Sequence, residues 1–147
     1  MFQLNCDKGI VDGENGFCFS FKENKPVISV SIRGDKSSQW TSDVDFLLDS
    51  GADFAILHID EAKKLGLDIN RCDLISKCKG IKGAQVEIFL KNGILIKIGD
   101  YPAVPLPVWF ARHIEPKTRI LGRGVLFELF GIVFNDQKTG IFLKLPI

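Results

Sequence analysis

The 147-residue chain is poor in the residues that most often carry side-chain chemistry, with two histidines, one methionine and one tyrosine. It also lacks an excess of either charge. Nineteen Lys and Arg stand against 18 Asp and Glu, for a net charge of +1, so no global field is available to grip nucleic acid or an anionic membrane. No run of about 18 apolar residues is present, which excludes a transmembrane helix as an expectation. Met1 to Lys8 has no basic segment followed by an apolar stretch of about seven residues, so no signal peptide is expected. The four cysteines, Cys6, Cys18, Cys72 and Cys78, lack the CxxC spacing of a zinc or redox site. Cys6, Cys18, His58 and His113 do not form a metal-ligand pattern either, so no metal site is expected from them. Two disulfides can be drawn on paper, but without a secretory signal the cysteine usage favours reduced thiols and a cytoplasmic setting.

What the chain has is apolar residues, at 46% of its length. That is enough for one domain with a sizeable core and no staples. Residues 1–16 are polar and glycine-bearing and read as a loosely held lead-in, leaving 17–147 as the domain proper. Phe17, Phe19 and Phe21 alternate with smaller residues, as do Ile28, Val30 and Ile32. This is the period of strands, and Glu23-Asn24-Lys25-Pro26 between them suggests a hairpin. Val44 to Leu48 reads as a short buried strand. Ile59 to Leu65 reads as a helix, with acids in its first turn, lysines at its end, Gly66 as its stop and His58 as a cap or surface group. Further strands are expected at Leu74–Lys79, Gln85–Leu90, Ile94–Ile98 and Val104–Phe110. Asn92-Gly93 signals a hairpin, and the three prolines of 101–110 suggest an edge strand. A second helix over Arg123–Phe130 and a last hairpin of Ile132–Phe134 with Ile141–Leu145 complete the chain. Without βαβ alternation or tandem repeats, the fold class is mainly β, a closed or partly open barrel or a sandwich with one or two short helices.

The informative stretch is Leu47-Leu48-Asp49-Ser50-Gly51-Ala52. An apolar strand delivers a carboxylate to its end, followed by a tight turn of small residues. At the level of the tripeptide, Asp49 could simply cap an Asx turn. In a catalytic reading it lies beside a second carboxylate. Two such groups at contact distance share one proton, so the ionised member can activate water while the protonated member polarises a carbonyl.

With Asp53 added, this segment resembles the signature of the retropepsin-like aspartic proteases, two hydrophobic residues followed by D-[ST]-G-A-[DN]. Ile120-Leu121-Gly122-Arg123 resembles the hydrophobic-hydrophobic-G-R segment of the same family, and Lys79-Gly80-Ile81-Lys82-Gly83-Ala84 resembles its glycine-rich flap tip. The likeness covers about residues 26–145 and leaves 1–16 without a counterpart. It implies a barrel of the retropepsin-like acid protease type and an aspartic endopeptidase with Asp49 as the catalytic carboxylate. Ser50 would brace the active-site loop (Ser50, Gly51, Ala52) across a dimer. Gly51 and Asp53 would contact substrate backbone, and Gly80, Ile81, Lys82 and Gly83 would close over it. Gly122 and Arg123 would support the loop and the dimer. Gly124 departs from the family's usual Asn or Asp. No second D-[ST]-G occurs in the chain, so the resemblance implies a homodimer with the site on its two-fold axis. Ala52 stands where pepsin-like enzymes commonly carry a hydroxyl that can donate to the carboxylate. With one donor fewer, activity is expected at mildly acidic pH, less acidic than that of pepsin.

Bland readings suffice for most other features. No cysteine sits at a helix start beside a glycine-rich turn, so a Cys–His protease finds no support. The basic stretch Arg112 to Arg119 is interrupted by Glu115 and carries no interleaved aromatics, so it reads as a solvated loop and no nucleic-acid partner is expected. Cys78 reads as an inert, partly buried thiol, and the apolar residues of 101–110 as core more than subsite. The expected partner besides a second copy is a peptide or protein substrate flanked by apolar side chains. The rival is a catalytically inactive binding or dimerisation module that keeps the protease fold.

Overall fold

A computed structural model describes residues 4–11, 13–34, 39–79, 85–135 and 137–144. In chain order the strands are β1 (Leu4–Asn5), β2 (Ile10–Val11), β3 (Glu14–Asn15), β4 (Phe17–Ser20), β5 (Val27–Arg33), β6 (Val44–Leu48), β7 (Ala55–His58), β8 (Leu74–Lys79), β9 (Gln85–Lys97), β10 (Val104–Ala111), β11 (Arg119–Leu121), β12 (Phe130–Asn135) and β13 (Lys138–Leu143). Two short helices, α1 (Ile59–Lys64) and α2 (Leu126–Leu129), follow β7 and β11. No described helix is long and apolar enough to cross a membrane.

The main sheet runs β10-β7-β11-β6-β5-β9-β8, and β10 also pairs with β9. Six strands thereby close a ring, with β8 attached outside it. Alternation builds the ring's inner face. Ile28, Val30 and Ile32 of β5 are almost fully buried. The intervening Ser29 and Ser31 point away and bond Asp45 and Asp43. Phe46, Leu48, Leu57, Phe89 and Phe110 join the same core. Helix α1 starts on His58, whose Nδ1 accepts from the Asp60 N–H at 3.0 Å, so the expected cap is present on a buried histidine.

Several local expectations are corrected. Lys22 and Lys25 bridge a tight turn with Glu23 and Asn24 at positive φ, as a two-residue hairpin turn requires. Beyond that bridge, however, β4 pairs with β13, not with β5. Asn92-Gly93 makes no hairpin, because β9 continues through it for 13 residues. Leu106 faces Ile94 and Val108 faces Lys91, so Asn92 and Gly93 together oppose Pro107. The pair is a β-bulge with glycine in the left-handed region (φ 77°). The same bulge accommodates Pro107, which has no N–H to offer, on the stretch of β10 that pairs with β9 alone, since β7 pairs only with Val108–Ala111. Pro105 and Pro107 thus lie where β10 has one open side, as the prolines suggest, and the strand is covered on both sides only from Val108. Helix α2 spans four residues, not the longer stretch expected, because Phe130 already enters β12.

The N-terminus is also better held than expected. Strands β1, β2 and β3 form their own sheet, and Val11 is fully buried. A Cβ on Gly140 of β13 would strike Leu4 and Val11, so the two sheets lie in close contact. Cys6 and Cys18 are joined by a disulfide with their Cα atoms 5.6 Å apart, against the expectation of reduced thiols. The two cysteines are 12 positions apart in sequence, so the loop that the bond closes is short. Cys72 is a free thiol.

One buried ion pair positions β11, the strand that leads toward the site. The Arg119 guanidinium donates to Glu61 of α1 at 2.8 Å, and Glu61 is only 7% exposed. Arg119→Met leaves that carboxylate with only the largely exposed Lys64 at 3.5 Å and should cost about 2–3 kcal/mol in urea unfolding, whereas adding Glu61→Leu should recover most of the loss. At the surface, Lys22 at 2.6 Å and Ser29 at 2.7 Å both donate to Asp45. Chiefly through Lys22, they hold its carboxyl below the ordinary value. A lowered folded-state value adds stability at neutral pH that disappears as pH falls through it. The Tm gap between wild type and Asp45→Asn should therefore be small but largest near neutrality and close below about pH 3.

Candidate active site

Asp49 follows the last residue of β6, and the sheet fixes its backbone. Leu48 faces Leu121 across the parallel β6–β11 pair, and the Asp49 N–H donates to the Leu121 carbonyl at 3.0 Å. The chain then turns sharply. Gly51 N–H donates to Asp49 Oδ1 at 2.9 Å, and Ala52 N–H donates to the Asp49 carbonyl at 3.1 Å. This is the Asx geometry allowed for at the tripeptide level. Here it also orients one carboxylate oxygen and leaves Oδ2 without a bond to the turn. Asp49 is half-buried, and Ser50 and Gly51 are exposed.

The segment after β11 packs directly behind this loop. Arg123 N–H donates to the Ala52 carbonyl at 2.8 Å and Gly124 N–H to the Asp53 carbonyl at 2.9 Å. Gly122 sits where a Cβ would come within 2.5–2.6 Å of the Phe54 carbonyl, the Ala52 carbonyl and the Phe54 nitrogen. No side chain fits there. Gly124 is nearly as tight, since a Cβ would lie 2.7 Å from the Asp53 carbonyl. The departure from Asn or Asp at this position thus accompanies a closer backbone approach and is more than the loss of a polar group. The Arg123 guanidinium bonds the Asp53 carboxylate, and both side chains are more than half exposed.

The structure therefore brings Asp49, Ser50, Gly51, Ala52, Asp53, Gly122 and Arg123 into one assembly from two distant parts of the sequence. The flap residues Gly80, Ile81, Lys82 and Gly83 lie outside the described residues. Strands β8 and β9, which flank them, pair as a hairpin ladder out to Lys79 and Gln85. Sequence reasoning missed Phe54, which is 47% exposed beside the loop and packs edge-on against Trp109 at 5.8 Å. A large aromatic directly after the signature was the available signal. Two surface grooves, of about 250 and 430 Å³, lie around Cys6 and Lys138, and no residue of 49–54 lines either.

The chain belongs to the aspartyl protease family, whose model matches residues 28–125. Its fold is that of the retropepsin-like enzymes. A retropepsin-like aspartic protease from Rickettsia conorii superposes with a TM-score of 0.63 at 14% identity, covering 86% of this chain and 98% of that one. The retroviral protease-like domain of Ddi1 from Leishmania major gives 0.53 at 13% identity, with 83% and 98% covered. EIAV protease, solved with the inhibitor HBY-793, gives 0.50 at 24% identity, with 73% and 89% covered. No curated protein sequence matches the chain.

The backbone fit at Gly122 is directly testable. Gly122→Ala should destabilise the protein by about 2–3 kcal/mol in urea unfolding, as overpacking against immovable backbone does. An unchanged unfolding midpoint would mean that the loop and β11 are not so closely joined.

Proposed function

We propose that the protein is an aspartic endopeptidase that works as a homodimer, with one Asp49 from each subunit. The observation that carries this reading is the placement of Asp49. It stands at the end of a barrel strand, bonded by the Gly51 N–H and the Leu121 carbonyl and backed by Gly122-Arg123, in a chain of the aspartyl protease family. The chain holds one D-[ST]-G, so the second carboxylate must come from a second copy around a two-fold axis.

In the dimer the two Asp49 carboxyls share one proton. The ionised one takes a proton from water as the oxygen attacks the peptide carbonyl, and the protonated one donates to the carbonyl oxygen. The resulting tetrahedral diol collapses when a carboxyl delivers a proton to the amide nitrogen. The C–N bond breaks, releasing an amine and a carboxylic acid, and the dyad returns to its singly protonated state. Water is the nucleophile, and this chemistry needs neither metal nor organic cofactor. Ser50 braces the loop, Gly51 admits substrate backbone, Asp53 receives it while held by Arg123, and Gly80 to Gly83 close over it. Gly124 motivates the second reading, a protease-fold module that dimerises or binds peptide without cutting it.

A peptide-library digest from about pH 4 to 7 separates the two. The endopeptidase reading expects cleavage that pepstatin blocks and Asp49→Asn reduces at least about 10⁴-fold, with a dimer in sedimentation when inhibitor is present. A stable monomer that cuts nothing at any pH favours the module. The turn also predicts a pH effect. Ala52→Ser restores a hydroxyl near the carboxylate and should move the activity profile to lower pH. A wild-type optimum already below about pH 3 would contradict this account.

A further inference from the structure

Strands β1, β2 and β3 are two residues long and pair only with one another. A sheet that small is marginal on its own, so its place on the protein depends on how it is seated and closed. The seat is a notch between two glycines. A Cβ on Gly16 would come within 2.8 Å of the Val11 side chain, and one on Gly140 within 2.9 Å of it. Leu4 fills the same space over Gly140, and Val11 is fully buried there.

The closure is the Cys6–Cys18 bond. Cys18 faces Gly140 across the β4–β13 pair, and Ser20 faces Lys138. Residues directly opposite one another in a sheet project from the same face, so these four share the face that the small sheet covers. Both cysteines are only half-buried. The two surface grooves meet at this bond, since Cys6 and Lys138 line both, and Cys18 also lines the larger one of about 430 Å³. That space admits a small thiol. Among the described residues lining the larger groove, Lys138 alone is charged, whereas Asp7 also lines the smaller. A cation beside a disulfide draws in an anionic thiol and favours the cysteine thiolate that leaves.

We infer that Cys6–Cys18 is an exchange site for a small anionic thiol of the glutathione kind, which enters beside Lys138, and that its opening releases residues 4–11 from the two-glycine notch. The thiolate attacks the Cys6 sulfur, the Cys6–Cys18 bond breaks, a mixed disulfide forms on Cys6, and Cys18 leaves as a thiolate. A second small thiolate attacks its own kind in the mixed disulfide, giving the oxidised small-thiol dimer and freeing Cys6 as a thiolate. The two protons given up by the small thiols balance those taken up by the cysteines. One protein disulfide is reduced and two small thiols are oxidised. The Asn15 carbonyl accepts from the Tyr101 hydroxyl at 2.8 Å, which pins the chain again beyond the released residues and keeps β4 in place. The clasp is thus closed when thiol is scarce and open when it is in excess. None of this depends on chemistry at Asp49.

The test treats the oxidised full chain with millimolar glutathione, which is anionic, or with cysteamine, which is cationic, at one pH. Alkylation and peptide mass spectrometry follow the Cys6–Cys18 bond, and hydrogen exchange follows the backbone. Glutathione should open the bond in the folded protein. Amide exchange over residues 4–11 should then rise about 10-fold or more, while that of β5 stays unchanged. Lys138→Gln should slow opening by glutathione about 3-fold and leave opening by cysteamine no slower. The Cys6→Ser, Cys18→Ser double variant should exchange like the opened wild type with no thiol added, and the wild-type comparison decides the matter if that variant fails to fold. Three results overturn the inference. A bond that opens only on denaturation is a structural staple. Opening that leaves exchange over residues 4–11 unchanged means that the seat holds without the bond. Equal effects of Lys138→Gln on the two thiols mean that the cation does not guide entry.

Discussion

The site depends on one close approach. Gly122 lets β11 and the residues after it lie against the backbone of the loop that carries Asp49, at a separation that leaves no room for a Cβ. Because β11 also runs between β6 and β7, it touches both ends of that loop, the strand that delivers Asp49 and the strand that takes the chain away. Three backbone bonds then stitch the loop down, from Asp49 to Leu121, Arg123 to Ala52 and Gly124 to Asp53. A loop of small residues would ordinarily sample many conformations. Here its shape is set by a strand some seventy positions away in the sequence.

That arrangement explains why charge placement near the site is economical. The Asp49 carboxylate has one oxygen bonded within its own turn, and Asp53 is occupied by Arg123. Asp53, four residues beyond Asp49, is thus neutralised by a partner that also belongs to the bracing segment. Deeper in the fold, Arg119 and Glu61 repeat the logic, joining the start of β11 to α1. Both cations flank the same three-residue strand, so ion pairs fix its two ends while main-chain bonds fix its middle. Rigid backbone dipoles aimed at a carboxylate are what general acid–base work needs, since a mobile loop would have to be ordered at each turnover.

Much of this was legible in the residues, and the failures share a cause. Alternation marked β4 and β5, and the Asp49 and Gly122 motifs pointed to two segments that the fold brings together, because such signals are local. Pairing is not local. The Glu23–Asn24 turn was recognised, but nothing near it says that β4 will leave β5 for β13. Asn92-Gly93 looks the same whether it ends a hairpin or bulges within a strand, and only its position opposite Pro107 decides. Pro105 and Pro107 do mark an open side of β10, but nothing near them says that β7 will cover the same strand from Val108 onward. Cys6 and Cys18 carried no spacing signal, and their disulfide follows from the small N-terminal sheet folding back on β4 and β13. Phe54 went unremarked because a single aromatic gains meaning only once Trp109 lies under it.

The strands around Asp49 carry a signal that alternation alone does not interpret. Leu47-Leu48, Ile56-Leu57, Trp109-Phe110 and Ile120-Leu121 are apolar at consecutive positions, the pattern of strands covered on both faces. The barrel covers one face with its core. On the other, Leu47, Ile56 and Ile120 are half-buried and Trp109 is buried with Phe54 packed against it. A chain that is 46% apolar and nearly neutral has ample polar residues to finish that face, as Ser29 and Ser31 finish theirs on β5. That contrast sets the strands around Asp49 apart from β5. An apolar face kept open beside a single carboxylate is what a half-site needs if a second copy and an extended peptide are to complete it, because both can then be held by the surface the core did not use.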